Sequence, residues 1–186
     1  MTNFAGQYHV LLKDMTDTQK QKADPAILAL LASPRKEVVL EALDKLRESG
    51  NPLYLPRLLD LLLEHPSGEI PEAVLAMLAE VKYRETAHFL AEAIGQERFL
   101  PVRQQLVTCC WQNGLDYAPW FTLFLKLVLD APFETAFEAF TVIENMDPLP
   151  PADLLQEGIS TIRAALPAST GPQTYLLSEL LAILEA

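Results

Sequence analysis

One short pattern recurs along this chain at nearly constant spacing. Leu43, Leu46 and Gly50 return as Leu75, Leu78 and Lys82, then as Val107, Cys110 and Gly114, then as Phe140, Ile143 and Asp147. The steps between copies are 32, 32 and 33 residues. Two apolar residues three apart share one face of a helix, and a turn position four residues later ends it. A helix–turn–helix with that period marks an α-solenoid, because a single unit cannot bury its apolar face alone and must stack on its neighbours. The expected fold class is therefore all-α: an α-α superhelix of about four stacked helical hairpins with flanking N- and C-terminal helices. Leu100 to Leu129 is the unit around which the others align, two short apolar-faced helices broken at Gly114.

Read in order, residues 1–186 form a single domain, with N-terminal helices in 1–32, the four repeats in 33–166 and a capping helix in 172–186. Phe4, Tyr8, Leu11, Leu12 and Met15 fall at helical spacing and predict a first helix. Asp24-Pro25 and Ser33-Pro34 are start signals, since the side-chain oxygen takes up free N–H groups and proline suits the first helical turn. In the first repeat Val38 and Val39, Ala42, Leu43 and Leu46 form the inward stripe, and Gly50-Asn51-Pro52 turns the chain. The return helix that follows is apolar apart from Arg57, Asp60 and Glu64, so it needs cover on more than one side. The later inward stripes are expected at Ile70, Val74, Met77, Leu78 and Val81, then at Val102, Leu106, Val107 and Cys110, then at Phe133, Phe137, Phe140 and Ile143. The last helix, Thr174 to Leu184, is expected to cover the open end of the stack, with dimerisation through it as the alternative.

Composition narrows the function classes. The net charge is −11 and unevenly spread: residues 104–186 hold Lys126 and Arg163 against ten Asp and Glu. Phosphate backbones are held by lysine and arginine with release of counterions, so this chain is not expected to bind nucleic acid. A basic partner is compatible with it, as is plain solubility. No run approaches the 18 apolar residues of a membrane span, and Val10-Leu11-Leu12 is too short for the core of a signal peptide, so a cytoplasmic location is expected. Cys109 and Cys110 are adjacent and point about 100° apart on a helix, which suits buried thiols and neither a disulfide nor zinc.

Over residues 33–166 the chain resembles the HEAT-repeat, armadillo-like proteins. The matching residues are Ser33-Pro34 ahead of Glu37-Val38-Val39, then Ala42-Leu43 and Leu46, then the Gly50-Asn51-Pro52 turn, together with Pro101-Val102-Arg103 in the third repeat. Lys82-Tyr83 and the proline cluster Asp147 to Pro151 depart from the pattern. The resemblance implies a right-handed superhelix whose second helices line a concave face used to hold another protein.

Chemistry-bearing patterns are sparse. The iron-dependent hydroxylases of this architecture use His-Glu pairs, whereas the histidines here read His9-Val10, His65-Pro66 and His88-Phe89. HEAT-like DNA glycosylases need a basic groove, which the charge balance opposes. For HEAT-like bilin lyases the composition leaves room, but no motif matches. His88 and Glu92 share a helix face at i, i+4, but two groups alone rarely hold a catalytic metal. No catalytic residue, cofactor or metal ligand is assigned. The positive candidate is aromatic: Tyr117, Trp120 and Phe124 lie at i, i+3 and i+7, beside the stripe Ala118, Phe121 and Leu125 assigned to the core. On the concave face they would anchor a partner; the competing reading packs them between helices. The sequence thus favours a non-catalytic, cytoplasmic protein-binding scaffold or adaptor. One alternative is an enzyme or cofactor-handling protein whose ligands converge in the concavity, around His88, Glu92, Arg84 or Arg103. Another is an acidic inhibitor or immunity-type protein masking a basic partner.

Overall fold

A computed structural model describes residues 23–49 and 52–185. The predicted first helix (Phe4 to Met15) and the Gly50-Asn51 turn lie outside the described residues. Ten α-helices and no strand occur among the described residues: α1 (Pro25–Leu31), α2 (Lys36–Ser49), α3 (Leu55–Glu64), α4 (Glu69–Glu80), α5 (Glu85–Gly95), α6 (Arg103–Asn113), α7 (Phe121–Asp130), α8 (Phe133–Glu144), α9 (Ala152–Ala165) and α10 (Pro172–Leu184). Short 3₁₀ turns precede α3, α6 and α7 and follow α9.

The local signals act as read. Asp24 Oδ1 accepts the Ala26 N–H at 2.8 Å and Ser33 Oγ that of Arg35 at 3.2 Å, so each start has one free donor satisfied by a side chain. Gly114 ends α6 in the left-handed conformation, φ 62°, where a side chain would meet its own backbone. Gly158 is different: it stands in the middle of α9. A Cβ there would lie 2.6 Å from the ring of buried Phe121, so the missing side chain lets α9 close on α7.

The helices form two rows. In one, α2, α4, α6, α8 and α10 each pack on the next; in the other, α3 packs on α5 and α7 on α9. The rings of His88 in α5 and Trp120, just ahead of α7, meet at 6.0 Å between them. Between rows, backbones approach most closely in the pairs α1–α2, α3–α4, α5–α6, α7–α8 and α9–α10. Tight cross-row contact therefore joins a return helix to the helix opening the next repeat. For α7 and α8 the cause is plain, since only Ala131 and Pro132 connect them.

The repeat pattern lies in the core. Leu46, Leu78, Cys110 and Ile143 are all buried, as are Leu43, Val107 and Phe140. Ile70, Val74 and Leu106 face inward as expected, with Met77, Val81 and Val102 only partly covered. On α8 the expectation fails: Phe133 and Phe137 are 47% and 48% exposed. At about 100° per residue, the buried arc of α8 is centred near Ala139 and takes in Thr135, Ala136 and Val142. The aromatic edge is turned out. Helix α8 packs against α6, α7 and α10 together, and small Ala136 and Ala139 allow that crowding where phenylalanine rings would not.

The last helix docks within the chain. Leu176, Leu177, Leu180 and Leu184 are buried against α7, α8 and α9, and Arg163 meets Glu185 at 2.8 Å. No helix among the described residues is long and apolar enough to cross a membrane.

Candidate protein-binding surface

The chain between α6 and α7 fixes the predicted aromatic trio. Asn113, the last residue of α6, is fully buried. Its Nδ2 donates to the Leu78 carbonyl of α4 at 3.2 Å, and its Oδ1 accepts the Leu115 N–H at 3.0 Å. The Asn113 carbonyl in turn accepts Lys82 Nζ at 2.6 Å. Asp116 Oδ1 then accepts the Ala118 N–H at 3.0 Å, tightening the turn into α7.

This geometry carries Tyr117 inward. Its hydroxyl lies 3.2 Å from Asn113 Nδ2, its ring meets Phe124 edge-on at 5.6 Å, and burial pushes its phenol above the usual range. Phe124 is fully buried. Tyr117 and Phe124 are therefore core residues, and the expected surface trio is corrected to Trp120 alone. The cause is the wide buried arc of α7, where Phe121, Phe124, Leu125, Leu127 and Val128 are all covered because α8, α9 and α10 pack around it. Trp120 remains half-buried, tilted against His88.

Of the groups named for a converging site, His88 and Glu92 pair on α5. His88 Nε2 lies 3.4 Å from Glu92, Arg103 Nη2 donates to the Gln96 carbonyl at 3.3 Å, and Arg84 is exposed at the start of α5. Among the described residues no group of three or more His, Cys, Asp or Glu could hold a metal ion. Cys109 and Cys110 are free and buried. Burial raises the Cys109 thiol to about 12 and that of Cys110 also upward, so both are protonated and poor nucleophiles near neutral pH.

The exposed aromatic surface lies in the other row. Phe133 and Phe137, one turn apart on α8, hold their rings 6.3 Å apart at the surface. Trp111 of α6 is 37% exposed, and its indole N–H donates to Glu138 Oε2 of α8 at 2.7 Å. Glu134 and Glu144 stand exposed on α8, and the sequences of α8 and α10 contain no lysine or arginine. Sequence reading missed this surface because two phenylalanines four apart look like core. The available signal was Thr135, Ala136 and Ala139, small residues turned toward the other side of the helix that suit a crowded interface.

No protein-family model matches the chain, and no curated protein matches it either.

Proposed function

We propose that this protein is a non-catalytic scaffold or adaptor: a HEAT-like α-α superhelix that holds a protein partner through the α6–α8 face. The observation that carries the reading is the pair Phe133 and Phe137, two adjacent rings left about half exposed on a helix that had small residues to bury instead. Large aromatics concentrate binding energy when a partner covers them, and carry a solubility cost when nothing does. The alternation of helices in two rows and the recurrent buried positions support the superhelical arrangement. The acidic C-terminal half favours a basic partner over nucleic acid, and a cytoplasmic setting accords with buried, reduced thiols.

The test is site-specific photo-crosslinking in the native host. A photoreactive phenylalanine at position 137 should give one discrete adduct band, and the same residue at exposed Thr161 on α9 should not. Equal, diffuse crosslinking from both positions would remove the case for a binding face on α8.

A further inference from the structure

We propose that the α6–α8 face is built for one kind of partner segment: an apolar helix edged with lysine or arginine. The inference rests on the protein-binding reading above and adds the chemistry of the occupant. Phe133 and Phe137 supply the apolar contact, with their rings 6.3 Å apart. Glu134 and Glu144 lie on the same helix, and neither has a cationic partner among the described residues. Arg103, the single cation of α6, sits at its first residue and donates to the Gln96 carbonyl. The contrast lies within the molecule: between α2 and α4 the exposed glutamates at the two ends of α4 are answered, Glu69 by Lys36 at 2.8 Å and Glu80 by Arg47 at 2.5 Å. On α8 exposed carboxylates share the helix with the aromatic rings, and no cation among the described residues answers them. Cations from outside would.

The charges also select against other occupants. A second copy docked face to face would bring Glu134, Glu138 and Glu144 against their own equivalents in a chain of net charge −11. Anionic lipid and nucleic acid are opposed for the same reason. Glu138 adds a reporter, because its Oε2 holds the Trp111 indole N–H at 2.7 Å. A partner lysine or arginine drawn to Glu138 would compete with that bond and change the surroundings of Trp111.

The full chain should be titrated with a labelled 18-residue synthetic helix bearing leucine on one face and lysine on the other. Its counterpart with glutamate in place of lysine is the control. The lysine peptide should bind and the glutamate peptide should not. Phe133→Ala/Phe137→Ala should weaken binding by about tenfold or more, as loss of clustered aromatic anchors does. Glu134→Lys/Glu138→Lys should reverse the preference between the two peptides. Trp111→Phe should remove most of the tryptophan fluorescence change on binding. All substituted positions are at least partly exposed, so circular dichroism should report an unchanged fold.

Equal binding of both peptides, lost on phenylalanine substitution, would overturn the charge assignment and leave the protein-binding reading standing. Lysine-peptide binding that ignores both double variants would place the acidic contact elsewhere and overturn the inference. Self-association of the full chain, abolished by Phe133→Ala/Phe137→Ala, would make the occupant a second copy and overturn it also.

Discussion

The outer edges of two seams occupy the same place in the repeat and are finished in different chemistry. At the α2–α4 seam, Lys36 and Arg47 reach across to Glu69 and Glu80. Two 32-residue steps beyond Arg47, the α6–α8 seam presents Trp111, and the same two steps take Glu69 to Phe133 and Lys36 to Leu100. One cation and one carboxylate of the first seam are aromatic rings in the later one. Beneath both edges the buried positions change little in character: Leu46, Leu78, Cys110 and Ile143 keep their depth. Packing fixes the period on the inside, where a misplaced side chain leaves a void or a clash. Outside, position by position, the chain is free to depart.

The sharpest way to break that comparison is on α8 itself. Phe140→Ala should cost about 3–5 kcal/mol, since it empties a buried ring site. Phe137→Ala, one turn away and 48% exposed, should cost under about 1 kcal/mol because little apolar area is covered there. Urea denaturation of both variants measures the difference. Equal losses would mean that Phe137 belongs to the core after all, and the aromatic face would disappear with it.

Between the two seams lies a third, α4–α6, held by a buried amide. Asn113→Ala should cost about 2–3 kcal/mol, because the Leu78 carbonyl and the Leu115 N–H would both lose their partner away from water. Asn113→Asp should be at least as damaging at neutral pH, since a carboxylate would face the Leu78 carbonyl in place of a donor. A loss below 1 kcal/mol for the alanine variant, with an unchanged denaturant slope, would show that water replaces the amide and that this seam rests on apolar packing alone.

The fold was legible where packing repeats. Spacing of 32–33 residues, the Asp24 and Ser33 starts and the Gly114 stop all lead to helices found at those places. The rotation of a helix about its axis was less legible, because several arcs of α7 and α8 are apolar enough to face inward. Phe124, a candidate anchor whose competing reading packs it between helices, is core; Phe133 and Phe137, expected to face inward, are exposed. What decides between arcs is how many neighbours a helix has and how closely they approach, and that is set by residues far along the chain. Asn113 was illegible for a related reason. Its value depends on the Leu78 carbonyl, 35 residues away, and a buried hydrogen bond across that distance leaves no local pattern.

The smallest effect should appear at the first seam, and it bears on why the second is different. Lys36, Arg47, Glu69 and Glu80 all have more than half of their side-chain surface exposed, so their ion pairs are screened and worth little to stability. Arg47→Ala should shift the urea midpoint only slightly in low salt, and not at all near 1 M salt, where the screening length falls to about 3 Å. These pairs instead neutralise an edge that would otherwise present unanswered carboxylates. Replacing both cations, by Lys36→Ala with Arg47→Ala, should leave the fold intact and make the α2–α4 edge acidic, like the later seam but without its rings. If the lysine peptide then binds that edge as well as it binds α8, charge alone attracts it. If binding stays confined to α8, the aromatic rings are the decisive difference between the two seams.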